Sequence, residues 1–195
     1  MNTLTTRKGT IVQDPPFIKL LLNDKRAAWG WLIVRLWLGY KWLDAGWHKV
    51  GEEAWTGGGM ALKGYWERAV IIPETGRAAI SFDWYRSFIQ FLLDIEAYTW
   101  FAKLVAYGEV LIGIALILGL FTGIAAFAGG FMNWNFMMAG SASTNPMLFV
   151  VALGLVMAWK VAGFIGLDYF ALPALGTPWS DLLPEEVEEA KPALA

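Results

Sequence analysis

The sequence predicts an all-α integral membrane protein: a bundle of four transmembrane helices, with a long aromatic extracytoplasmic loop between the first and the second. Three observations carry this. Of 195 residues, 57% are hydrophobic and 16% charged, against about 25% charged in an ordinary soluble domain. The apolar residues fall into four blocks of about 20 residues, the length a helix needs to cross a bilayer. Two of the three links between blocks are short, which makes neighbouring helices antiparallel.

The elements follow in order. The start of the chain is polar and does not read as a signal peptide. A short amphipathic piece at 16–23 suits a membrane surface. The first block is 27–47 (AAWGWLIVRLWLGYKWLDAGW). The 48–97 connection holds Trp55, Trp66 and Trp84, a glycine turn at 57–59 and Pro73-Glu-Thr-Gly76. Within it, 82–95 sets Trp84/Tyr85, Phe88, Phe91/Leu92 and Ile95 at helical spacing, an amphipathic helix in the membrane interface. The second block, 98–118, passes through Gly119-Leu-Phe-Thr-Gly123 into the third, 121–140. Ser141-Ala-Ser-Thr-Asn-Pro146 then leads to the fourth, 147–166, which Pro146 can open. The end of the chain, 183–195, carries Glu185, Glu186, Glu188 and Glu189 and reads as solvated.

The chain thus divides into a cytoplasmic N-terminal segment (1–26), a transmembrane domain (27–166) and a tail (167–195). Arg7, Lys8, Lys19, Lys25 and Arg26 precede the first block, and Lys160 lies near the end of the fourth. The positive-inside rule puts both termini of this multi-pass chain in the cytoplasm and the aromatic loop outside the cell membrane.

Composition also excludes. The net charge is -2 and no basic patch interleaves with aromatics, so nucleic acid is not a partner. There are no cysteines, which removes disulfides, iron–sulfur clusters and thiolate zinc sites. The one histidine, His48, cannot make a bis-histidine haem, and no metal-ligand spacing surrounds it. No haem, metal or iron–sulfur cluster is expected in this chain.

The residues that draw attention are charges inside apolar blocks. A charge at bilayer depth costs a few kcal/mol or more and faces a partner or a cavity. Arg35 lies about eight residues, roughly 12 Å, into the first block, and Glu109 about ten residues, roughly 15 Å, from the cytoplasmic end of the second. The two are expected to meet near mid-membrane. Two readings stay open: an internal ion pair that fixes register, or a proton-carrying carboxylate and an anion-binding guanidinium. Lys41, Asp44 and His48 are three and four apart and share a helix face. Lys103 lies at the depth of Asp44, so an Asp44–Lys103 pair is expected; snorkelling lysines are the plainer alternative. Asn133, slightly beyond mid-membrane, can bridge helices or bind a ligand carbonyl. Trp42 and Trp134 sit deeper than an interfacial belt and either line a flat apolar pocket or pack in the core. Gly113, Gly119, Gly123, Gly129 and Gly130 allow helices to approach closely.

Two segments carry a resemblance. Arg35-Leu-Trp-Leu-Gly39-Tyr-Lys-Trp-Leu-Asp44-Ala-Gly46-Trp-His-Lys49 resembles the R-x-x-x-G…G-x-x-K opening of DoxX/DoxD-type membrane proteins. Glu109-Val-Leu-Ile-Gly113, followed by Leu118-Gly-Leu-Phe-Thr-Gly123, resembles that family's E-x-x-x-G…L-G-L-x-T segment. The long aromatic loop is similar to the DoxD branch. The resemblance implies a four-helix bundle and the large subunit of a thiosulfate:quinone oxidoreductase, with quinone as a substrate. It also implies a separate DoxA-like partner chain, since no such domain is fused here.

On that reading Arg35 and Glu109 are catalytic. Lys49, Lys103, His48 and Asp44 receive the anion, and Trp42, Trp134 and Asn133 shape the quinone pocket. Membrane lipid and other subunits of a membrane complex, or further copies of the chain, are the expected partners. The alternative is a non-catalytic structural or assembly subunit of a larger respiratory or photosynthetic complex. A small transporter is a third class, but four helices are few and no broken-helix repeat is visible.

Overall fold

The computed structural model describes residues 14–176, and these are mostly helical, with no strand among them. The solvated tail expected at 183–195 and the basic residues Arg7 and Lys8 lie outside the described residues.

Ten α-helices follow in order: α1 (Pro16–Asn23), α2 (Ala28–Gly51), α3 (Glu53–Thr56), α4 (Met60–Val70), α5 (Asp83–Asp94), α6 (Tyr98–Leu118), α7 (Thr122–Met138), α8 (Asn145–Met157), α9 (Trp159–Ala162) and α10 (Asp168–Ala174). Two close pairs make the body, α2 against α6 and α7 against α8, joined by α6–α7 and α2–α8 contacts. Among the described residues, α6 is the one helix both long and apolar enough to cross a membrane by itself. At 24 residues α2 has the length but is interrupted by Arg35, Lys41 and Asp44. α7 has 17 residues and α8 has 13.

Glycine sets the α2–α6 seam. A Cβ on Gly46 would stand 2.6 Å from the Val110 nitrogen, and one on Gly113 would stand 2.5 Å from the Leu43 nitrogen. Gly39 packs in the same way against Gly113 and Ile117. The body core around this seam is apolar: Leu38, Trp42, Ile112, Leu116, Ala126 and Leu155 are all buried.

The same contacts correct the expected depths. Gly39 is level with the last turn of α6, so α2 starts eleven residues, about 16 Å, beyond the end of its neighbour. Glu109 is level with Gly46, eleven residues and about 16 Å along α2 from Arg35. Counting both helices from a common plane brought the two charges together, but the helices do not end at a common plane. Arg35 and Glu109 do not pair.

Arg35 is instead buried at the α6–α7 turn. Its Nη2 donates to the Ile165 carbonyl at 2.7 Å, and its guanidinium lies against Gly119 and Gly166. Gly119 ends α6 at φ +66, with Leu120 N bonded to the Ala115 carbonyl at 2.9 Å, the closure of a Schellman turn. Asp168, also buried, accepts from Phe121 N at 2.5 Å and Thr122 N at 2.9 Å, so it caps α7 from a distant segment. These bonds hold Phe121 at φ +49, a conformation non-glycine residues rarely adopt. The cluster also explains why the fourth apolar block is not one helix. It breaks at Ala158 and ends at Ala162, because the chain beyond must turn to offer the Ile165 carbonyl to Arg35 and Asp168 to α7.

The connection after α2 is a helical hairpin. α5 matches the amphipathic helix expected at 82–95, whereas α4 is not in the sequence reading, which saw only aromatic loop. The hairpin has its own core of Leu62, Trp66, Ile80, Tyr85, Ile89 and Leu92, closed against Tyr98 and Ala102 of α6. The Tyr85 hydroxyl bonds the Asn135 carbonyl and side-chain oxygen, each at 3.1 Å, and burial pushes its phenol up to about 12. An unfolded tyrosine ionises near 10. The neutral phenol therefore stabilises docking fully below pH 10, and that contribution is lost as pH rises through 12. Alkaline titration should release the hairpin in step with a tyrosinate absorbance rise, and Tyr85→Phe should reduce that coupling, leaving the share carried by buried Tyr65, while weakening docking by about 1 kcal/mol.

Candidate functional site

A cavity of about 570 Å³ opens at the hairpin end of the body, between α2, α4, α6, α7 and the α7–α8 link. Its floor is polar. Glu109 is 1% exposed and accepts a bond from Lys49 Nζ at 2.6 Å. The absence of a side chain at Gly46 lets the α6 backbone at Glu109 and Val110 come close to α2. Lys49, three residues further along the same face, then reaches the carboxylate. The Lys49 ammonium also lies 5.3 Å from the centre of the Trp55 ring, so α3 helps fix it.

Asn133 forms the α7 side of the floor. It is completely buried, and neither its Oδ1 nor its Nδ2 has a hydrogen-bond partner. The indole N–H of Trp42, beside Gly129 one turn away from Asn133, is also unpartnered. Buried polar groups are nearly always bonded, so these atoms offer free hydrogen-bonding capacity at the cavity floor, as Arg35 Nε and Nη1 and Thr122 Oγ1 do at the other end of the seam. The walls are aromatic and apolar: Trp42, Trp55, Tyr65, Phe136 and Leu148. The Tyr65 hydroxyl donates to the Phe136 carbonyl at 3.2 Å, which pins α4 to α7. The mouth is polar and exposed, with Lys41, Asp44, Arg68, Ser143 and Thr144.

Arg35, Gly39, Gly46 and Lys49 on one side, and Glu109, Gly113 and Gly119 on the other, therefore lie along a single seam. The cavity is at one end of it and the Arg35 cluster at the other. The chain matches the DoxX family over residues 30–138, more than half its length. It belongs to the DoxX family. DoxX proteins are membrane proteins, and this is one. No curated protein and no solved structure matches the chain.

Of the site residues expected in this DoxX chain, the cavity gathers Trp42, Asp44, Lys49, Glu109 and Asn133. Four others lie elsewhere. Arg35 is at the far end of the seam, as described. His48 points outward and bonds the Asp44 carbonyl through Nδ1 at 2.7 Å, with the Asp44 carboxylate 3.7 Å away. Asp44 therefore has a partner on its own helix, and the expected Asp44–Lys103 pair is not formed. Lys103 is exposed on α6; six residues before Glu109, it is turned about 240° from it at 3.6 residues per turn. Trp134 follows Asn133 directly and is therefore rotated about 100° from it. It stacks on Phe131 at 5.8 Å and meets the Tyr85 ring at 6.2 Å, on the side of the hairpin.

Tyr65, Arg68 and Phe136 line the cavity without having stood out as site residues in the sequence, and Trp55 stood out only as a loop aromatic. The signal for α4 was present: Leu62, Tyr65/Trp66 and Ala69 recur at three and four residues. Nothing in the sequence placed that helix over the Glu109 end of the body.

Proposed function

We propose that this DoxX-family chain is the membrane subunit of a quinone-linked oxidoreductase, with thiosulfate as the electron donor. In this reading α2, α6, α7 and α8 cross the bilayer as a four-helix bundle, with both termini cytoplasmic and the hairpin outside. Support comes from apolar side chains left exposed along each helix: Ile33 and Tyr40, Leu104 and Leu111, Ile124 and Phe127, Val150 and Met157. Such a belt is stable only against lipid or protein. Lys19, Lys25 and Arg26 at the α1–α2 end support a cytoplasmic start.

The observation that carries the functional reading is the cavity floor. A quinone head group is flat, apolar and edged by two carbonyls. Trp42, Phe136 and Leu148 offer flat apolar walls, and the unpartnered Asn133 amide offers a donor for one carbonyl. Glu109 supplies a proton-carrying group. Two thiosulfates give up one electron each and join through a new S–S bond as tetrathionate; the quinone takes those two electrons and two protons. Lys41 and Arg68 at the mouth suit the approach of an anion. The resemblance implies that a DoxA-like soluble chain completes the enzyme.

Glu109→Gln keeps the shape and removes the proton. It should lower thiosulfate-dependent quinone reduction by about 10²-fold or more in the purified membrane complex, followed by the ultraviolet absorbance of the quinone. Full activity in that variant would remove Glu109 from the mechanism.

A second reading has its own observation. Trp84, Phe88, Phe91 and Ile95 form an exposed apolar stripe on α5, which suits docking in a larger respiratory or photosynthetic assembly. It predicts tight co-purification with haem- or pigment-bearing chains and no quinone reduction.

A further inference from the structure

The cavity and the seam beneath it differ sharply in polarity, and this bears on which side of the membrane the site can reach. Above Glu109 and Asn133 the lining becomes progressively wet. Lys49 is 21% exposed, and Asp44, Lys41, Arg68, Ser143 and Thr144 at the rim are exposed. Below them the body closes. Gly39 lies against Gly113, and Leu38, Ile112, Leu116, Ala126 and Leu155 are 0–7% exposed. The next charged groups in that direction are Arg35 and Asp168. Arg35 is seven residues along α2 from Trp42, about 10 Å through apolar packing; its Nη2 bonds the Ile165 carbonyl while Nε and Nη1 have no hydrogen-bond partner, and Asp168 accepts from the Phe121 and Thr122 nitrogens.

We propose that the cavity is a vestibule open only to the hairpin side, and that Lys49 is the residue through which Glu109 exchanges protons with that side. The proposal takes from the functional reading only that Glu109 bears a proton; it does not depend on quinone or thiosulfate. The polar groups that line the cavity with Glu109 define the route. On α2 they are Lys49, with Asp44 and Lys41 nearer the mouth. On α4 they are Tyr65 and Arg68. On α7 it is Asn133, and on the α7–α8 link Ser141, Ser143 and Thr144. Of these, Lys49 alone makes a direct bond to the carboxylate among the described residues. The Lys49 ammonium passes a proton to the Glu109 carboxylate, leaving a neutral amine and a carboxylic acid. The acid passes that proton to a basic oxygen of a molecule bound in the cavity, and the amine takes up a proton from the water at the mouth. Charge and protons balance over the cycle, and no proton crosses the body. A redox reaction at this site would then draw its protons from the hairpin side and would not move them across the membrane.

The chain has no cysteine, so a single introduced thiol can report access without any turnover. Ala45→Cys and Ala61→Cys place a thiol in the cavity wall, Glu109→Cys on its floor, and Lys25→Cys at the opposite end of the body. Each is reconstituted in oriented proteoliposomes and treated with a charged, membrane-impermeant methanethiosulfonate reagent from either side. The cavity thiols should react at least about ten times faster from the hairpin side, and Lys25→Cys with the reverse preference. Equal reaction from both sides, or no reaction of the wall thiols from the hairpin side, overturns the vestibule. For the relay, Glu109→Cys should reach its maximal reaction rate at lower pH with Lys49 present than in a Lys49→Met background, since a neighbouring ammonium favours the thiolate. Superimposed profiles overturn the role of Lys49. Loss of quinone reduction in the complex, with the labelling pattern intact, would fall on the functional reading alone.

Discussion

Lys49→Met is expected to destabilise the folded chain by about 3 kcal/mol. Removing one partner of a buried ion pair leaves the other charge uncompensated, at a cost of about 3–5 kcal/mol. The lower end applies here, because the Lys49 side chain is 21% exposed and water in the cavity can solvate part of the Glu109 charge. The loss reads as a lower unfolding midpoint in detergent, followed by far-ultraviolet circular dichroism. Adding Glu109→Gln to the same chain should recover most of it, since a neutral amide needs no ammonium. The double-mutant cycle then reports the coupling directly. A Lys49→Met chain as stable as the parent would mean that the carboxylate does not depend on the lysine. Stability and catalysis separate cleanly in this pair, because Glu109→Gln should keep the fold while losing the proton.

Gly119→Ala is the second large effect, expected at about 2.5–5 kcal/mol. Two terms add. A side chain at φ +66 costs about 1–2 kcal/mol. The new methyl would also collide with Arg35 Nη1 and displace the bond from Nη2 to the Ile165 carbonyl, a charged hydrogen bond worth about 1.5–3 kcal/mol. Gly76 provides the comparison. It has φ +93 and nothing within 4 Å of an added Cβ, so Gly76→Ala should show the conformational term alone. If both substitutions cost the same, the Arg35 contact contributes nothing. Gly119→Ala in an Arg35→Met background should likewise fall to the cost of Gly76→Ala.

The residues of the candidate site were legible unevenly. Glu109 stood out because a carboxylate within an apolar run has few reasons to be there. Lys49 and Asn133 were visible as polar groups on helices and Trp42 as a deep aromatic, and all three do line the cavity. The partnership was wrong. Glu109 was expected to face Arg35, and it faces Lys49. The error came from assuming that α2 and α6 end together, whereas their offset is set by where Gly39, Gly46 and Gly113 interlock. Lys103 was misplaced by the same offset, since the α2–α6 seam sets it about nine residues from the level of Asp44, whereas Trp134 was misplaced because the direction of its side chain around α7 was not read. A shift of one residue on α7 separates the cavity-lining Asn133 from Trp134, which packs towards the hairpin.

What the sequence determined by itself is the helical class, most element positions, the family and the presence of two buried charges. These follow from hydropathy, spacing and short motifs, all of which are local. Tertiary structure alone decided three things: that Arg35 is a tie between the α6–α7 turn and the segment after α9, that Lys49 completes Glu109, and that α4 roofs one end of the body to leave a cavity. Each depends on contacts between segments far apart in the chain. Such contacts are fixed by which backbones can approach, at Gly39, Gly46, Gly113 and Gly119, and that close fit has no local signature in a run of apolar residues.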